Sequence, residues 1–116
     1  MDVRQLVLVS KERDPAVNDL CSLFDLEVAF NDPEIIHFGL ENALLPVGRT
    51  FIEVISPIQE GTTAERFIKR RKGDGGYMVI IQVDNLSESK NLVDKENISV
   101  VWESKYAEAQ AIHLHP

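Results

Sequence analysis

Gln5-Leu6-Val7-Leu8-Val9 and Met78-Val79-Ile80-Ile81-Gln82 share one hydrophobic pattern at an offset of 73 residues (Gln5 to Met78). Both are short aliphatic runs of strand length, too brief for a packed helix. The same offset carries Asp14 onto Ser87, each placed to cap a helix, and Leu20 onto Val93 inside those helices. It also carries Val28-Ala29 onto Val101-Trp102. After a three-residue insertion, Ile36-His37-Phe38 falls on Ile112-His113-Leu114 at offset 76 (His37 to His113). Residue identity between the copies is low, so the match is one of pattern. It implies one unit present twice.

Around the first copy, Val3 to Val9 reads as a strand, and Asp14-Pro15 as a helix start with Pro at the first helical position. Val17, Leu20, Cys21 and Phe24 follow at helical spacing. Val28 to Phe30 reads as a short strand closed by a turn at Asn31-Asp32-Pro33. Ile35 to Leu40 and Ala43 to Val47 are strand candidates about a Glu41-Asn42 turn, and Phe51 to Ile55 is a strand stopped by Ser56-Pro57. The first half is read as β-α-β-β-β, with one strand candidate to spare. Thr62 to Arg71 suits a linking helix, and Gly73-Asp74-Gly75-Gly76 leads into a strand at Tyr77 to Val83. A Ser-capped helix at Ser87 to Lys95, a strand at Ile98 to Trp102 and another at Ala111 to Leu114 complete the second half. Pro116 falls on Leu40, so strands matching Ala43 to Val47 and Phe51 to Ile55 are missing from the second copy. A sheet stopped there leaves an open edge. The expectation is a chain that continues past Pro116, or a partner that covers the edge.

Composition narrows the function classes. The chain has 116 residues, enough for one domain with its own core. Its 19 acidic and 12 basic residues give a net charge of −7, which disfavours nucleic acid and anionic membranes as partners. Cys21 is the single cysteine, which excludes a disulfide framework, and it is read as packing between helix and sheet. No apolar run is long enough to cross a bilayer and the start is not that of a secretory signal. The expected location is the cytoplasm.

A duplicated β-α-β-β-β unit resembles the vicinal-oxygen-chelate superfamily of glyoxalases, bleomycin resistance proteins and dioxygenases. Three stretches carry the likeness: Phe51-Ile52-Glu53-Val54-Ile55-Ser56-Pro57, Gly73-Asp74-Gly75-Gly76-Tyr77-Met78-Val79-Ile80, and Val100-Val101-Trp102-Glu103 with Ile112-His113-Leu114-His115-Pro116. The resemblance implies an α+β fold of two such modules in a curved mixed sheet. Residues 1–116 then form a single domain: module one at 1–58, a linker helix within 59–76, and an incomplete module two at 77–116.

The family's chemistry uses a divalent metal, commonly held by a His or Gln on a module's first strand and a carboxylate on its last. Those positions are Gln5 and Glu53, each a polar residue alternating with apolar ones on a strand. In module two the histidine position is Met78, a poor ligand for hard cations, and the carboxylate position lies past Pro116. Two oxygen donors fall short of the roughly six that such metals take. Hence Gln5 and Glu53 read more readily as polar residues lining a ligand pocket. His37, Met78, Trp102, His113 and His115 are the other expected ligand-binding residues. His113 and His115 share a strand face but lack a carboxylate at metal-site spacing. Gly73 to Gly76 opens no helix, so it is not a phosphate loop. Lys69-Arg70-Arg71-Lys72 reads as a solvated helix end, with attraction of an anionic substrate as the alternative.

The resulting expectation is a small-molecule-binding, glyoxalase-like protein with a degraded metal site, forming a homodimer as modules of this family do. A metal-dependent lyase, epimerase or dioxygenase using Gln5 and Glu53 is the alternative, and a non-catalytic dimeric scaffold the third. Fold alone does not choose among them.

Overall fold

The structure, a computed structural model, describes residues 1–104 and 110–115. It has two compact units, Asp2–Ile81 and Gln82–Pro116.

The first unit begins with strand β1 (Asp2–Val9) and helix α1 (Arg13–Phe24). Glu12, not Asp14, occupies the cap position, and its side chain makes no cap hydrogen bond. Asp14 instead sits in the first turn, where a negative charge suits the helix dipole. The helix ends at Asp25 in the left-handed conformation, φ 52°.

The next segment differs from the sequence expectation. Ile35 to Leu40 is not a strand, because Pro33–Phe38 forms a 3-10 helix. The Asp32 side chain accepts from the Glu34 N–H at 2.9 Å, Pro33 presets the first turn, and Gly39 ends it at φ 70°. The cap-and-proline signal outweighs the apolar run. His37 therefore lies on a 3-10 helix whereas His113, its expected counterpart, lies on a strand. Glu41 and Asn42, read as a turn, belong to strand β2 (Leu40–Val47). The expected strand at Val28 to Phe30 is reduced to one bridge, Phe30 with Leu44.

Strand β2 returns through Gly48 (φ 58°) into β3 (Thr50–Pro57), with Val47 facing Thr50. Helix α2 (Thr63–Arg71) follows, its Thr62 side chain accepting from the Glu65 N–H at 3.0 Å. Strand β4 (Gly75–Gln82) completes a four-stranded sheet of order β2-β3-β1-β4. Strands β2 and β3 are antiparallel, whereas β1 and β3 are parallel with Val7 beside Glu53. The linker is tied back to β1: Asp74 accepts from Ser10 Oγ at 2.7 Å and from the Lys11 N–H at 2.8 Å.

Strand alternation gives each sheet face its own core. Val17 of α1 packs on Ala43, Leu45 and Val54. On the opposite face Val7, Val9 and Ile55 pack with Ala64 of α2, joined by Ile35, Leu40, Phe67, Ile68, Tyr77, Met78 and Ile80. That second face also carries Gln5, Asn42 and Glu53.

The second unit contains helix α3 (Leu86–Lys95) and the antiparallel pair β5 (Val100–Ser104) and β6 (Ala111–Leu114). Asn85, not Ser87, caps α3, its side chain accepting from the Glu88 N–H at 3.2 Å. No helix among the described residues is long and apolar enough to cross a membrane.

Candidate functional site

Glu53 sits mid-strand in β3, flanked on its own face by Val7 of β1 and Leu44 of β2. It is 8% exposed. A carboxylate among aliphatic side chains has lost most of its hydration, and burial pushes the Glu53 pKa above its ordinary range. Asn42 opposes that shift, donating from Nδ2 to Glu53 Oε1 at 2.8 Å, while the negative charge of Asp32 adds to it.

Asn42, 2% exposed, is itself fixed from behind. Its Oδ1 accepts the Asp32 N–H at 2.8 Å, so its amide can only present the NH₂ group to Glu53. The Asp32 backbone, the Asn42 amide and the Glu53 carboxyl thus form one oriented relay. The Asn42 carbonyl accepts from Arg13 Nη1 at 3.2 Å, and Arg13 also reaches Glu41 at 3.5 Å and Asp14 at 2.9 Å.

Beside the relay lies an open cavity of about 380 Å³. Its wall combines aliphatic Ile35, Ile36, Leu40 and Ile58 with polar Arg13, Asp32 and Asn42. This mixture of apolar lining and a few fixed polar groups is the composition of a small-molecule site. Asn42 belongs both to the cavity wall and to the buried pair.

The structure gathers some expected site residues and leaves others apart. Gln5 and Glu53 lie on the same sheet face of adjacent strands, but in register Gln5 faces Phe51 and Glu53 faces Val7. Gln5 is half-buried. Met78 is on the strand next to β1 and packs into the hydrophobic cluster around Val7. His37 is exposed, paired with Glu34 at 3.3 Å, and is not on the cavity wall. In the second unit Trp102 and His113 stack with centroids 4.4 Å apart, and burial lowers the His113 pKa. His115 lies just after β6, its N–H donating to the Ser99 carbonyl at 2.9 Å. Sequence reasoning missed Asn42, Arg13 and Asp32. Leu40-Glu41-Asn42-Ala43-Leu44 does carry the signal, a polar residue alternating with leucines, but the turn reading hid it.

These residues do not suit the metal that the sequence resemblance implied. One oxygen of Glu53 is engaged by Asn42, and desolvation favours the protonated acid, which is a poor ligand. Among the described residues no three His, Cys, Asp or Glu side chains are grouped to hold a metal ion.

No protein-family model matches the chain, and no curated protein does. Solved structures do. A hypothetical protein from Bacillus halodurans C-125 superposes with a TM-score of 0.87 at 20% identity, covering 99% of this chain and 84% of that one. The methylmalonyl-CoA epimerase from Mycobacterium tuberculosis gives 0.84 at 16% identity, over 98% of this chain and 78% of that one. A variant of the Streptomyces coelicolor methylmalonyl-CoA epimerase, in complex with 2-nitronate-propionyl-CoA, gives 0.84 at 13% identity, over 98% and 86%. At such identities the likeness is one of fold. The chain has the α+β fold of the vicinal-oxygen-chelate superfamily, with a four-stranded mixed sheet and a second, two-stranded sheet.

Proposed function

We propose that this protein binds a small molecule without a metal ion, taking it into the cavity beside the Asn42–Glu53 pair. One observation carries the reading: the 2.8 Å hydrogen bond from Asn42 to buried Glu53. It joins the last-strand carboxylate, where the superfamily commonly binds metal, to a residue of the cavity wall. The aliphatic wall supplies the driving force for an apolar ligand body, and Arg13, Asp32 and Asn42 supply orientation. The modules are read as copies of one unit and the protein as a homodimer, following the sequence resemblance.

A second reading keeps the cavity and makes Glu53 a proton carrier for an epimerase-like reaction. The buried carboxyl favours it, since a raised pKa brings an acid nearer the working pH of a general base. The structural neighbours named as methylmalonyl-CoA epimerases agree in fold with it.

Methylmalonyl-CoA serves as probe for both. Calorimetric titration in the presence of a chelator is expected to show binding, weakened about tenfold or more in Asn42→Leu. Binding that requires added divalent metal and is lost in Glu53→Gln would overturn the metal-free reading. Deuterium uptake by the probe in heavy water, abolished in Glu53→Gln, would establish the enzymatic reading instead.

A further inference from the structure

The wall of the cavity beside the Asn42–Glu53 pair carries three charged side chains, Arg13, Asp32 and Glu41. One is a cation and two are carboxylates, and the cation is already engaged within the protein. Arg13 donates from Nε to Asp14 Oδ1 at 2.9 Å and from Nη1 to the Asn42 carbonyl at 3.2 Å, and its Nη1 lies 3.5 Å from Glu41 Oε2. Two carboxylates thus share one guanidinium, which leaves little positive field to offer a ligand anion.

Asp32 is placed differently. It is half-buried, and among the described residues it forms no ion pair. Its Oδ1 accepts the Glu34 N–H at 2.9 Å, a neutral partner, and its own N–H is held by Asn42 Oδ1 at 2.8 Å. Side chain and backbone are therefore both fixed, while the charge has no cation set against it. Glu53 feels that charge, since Asp32 is among the causes that raise its pKa. The rest of the wall is largely aliphatic, with Ile35, Ile36, Leu40 and Ile58. Beside such a low-dielectric surface a fixed charge is poorly screened, and a cleft of one sign concentrates small ions of the other.

We infer that the cavity takes a small organic cation, a protonated amine on an aliphatic body, with Asp32 as the counter-ion of its ammonium group. Asp32 Oδ2 makes no hydrogen bond among the described residues and is the acceptor left for that group. The aliphatic wall takes the body of the ligand. The net charge of −7 acts in the same direction, drawing cations towards the protein. This inference rests on the cavity reading above and assigns the charge of its ligand.

The test is calorimetric titration of the full chain at neutral pH with hexylamine and with 1-hexanol, which match in length and differ in charge. The parent is expected to bind hexylamine about tenfold more tightly than hexanol, with the gap narrowing as salt is raised. Asp32→Asn keeps an oxygen to accept the Glu34 N–H, and is expected to lose that preference while binding hexanol as the parent does. Asp84→Asn, which removes an equal charge from an exposed position in the second unit, is expected to bind hexylamine unchanged. The inference is overturned if the parent binds both probes equally, if Asp32→Asn keeps the preference, or if Asp84→Asn loses as much of it. Methylmalonyl-CoA tells this failure from that of the cavity reading. Hexylamine refused while methylmalonyl-CoA binds would end the cation assignment alone, whereas refusal of all three would end both.

Discussion

The two faces of the four-stranded sheet carry cores of similar make-up but different chemistry. On the α1 face, Ala43, Leu45 and Val54 meet Val17. On the other, Val7, Val9 and Ile55 share the surface with Glu53 and Asn42. One face devotes its burial to apolar contact, which stabilises. The other accepts a desolvated carboxyl and then satisfies it with an oriented amide. A buried carboxyl held by one amide adds little to stability, and it is beside this face that the proposed binding site lies.

The contrast sets an order of expected effects. Leu45, 0% exposed on the apolar face, is expected to cost about 2–5 kcal/mol as Leu45→Ala by urea denaturation. A smaller loss would mean that this core collapses around the gap. Asn42→Leu is similar in size but leaves the Glu53 carboxyl and the Asp32 N–H without partners. It is expected to cost about 1–3 kcal/mol in the same assay.

Glu53→Gln separates the faces through pH. Because its pKa is raised in the folded state, the native protein binds this proton more tightly than the unfolded chain does. The stability it contributes is present in acid and falls as pH rises from the ordinary glutamate range through the raised folded value. A glutamine side chain in its place does not titrate. Melting temperatures of parent and variant are expected to diverge as pH rises from the ordinary glutamate range through the raised folded value, with the variant the more stable at the alkaline end. Parallel curves would show that Glu53 is ionised at little cost. The smallest effect is expected of Ser56→Ala: the Ser56 Oγ is buried and has no hydrogen-bond partner among the described residues. Removing it should leave stability unchanged or raise it by up to about 1 kcal/mol.

Much of this fold was legible in the sequence. Strands β1, β3 and β6 and helix α2 fall within a few residues of their expected limits, because aliphatic runs bounded by proline, glycine or a capping threonine admit few alternatives. The stretch between Val28 and Asn42 was not legible. Its apolar residues suit strand or helix equally, and the deciding contact, Asp32 with the Glu34 N–H, competes with turn formation at the same residues. Glu53 was found by alternation on β3. Its partner was lost with the strand frame, since a polar side chain shows as buried only once the neighbouring strand is placed. The expected equivalence of His37 and His113 went the same way when one proved to lie on a 3-10 helix.

The pairing pattern also has a consequence for how the chain finds this state. Strands β2 and β3 are joined by a short glycine turn and can zip locally, whereas β1 must meet β3 in parallel across 46 residues, Leu8 to Val54. Closing so long a loop costs more entropy than the local β2–β3 turn, and β1 contributes Val7 to the surroundings of Glu53. If β1 docks after the rate-limiting step, pH is expected to act mainly on the unfolding rate, which stopped-flow unfolding in urea across pH would show.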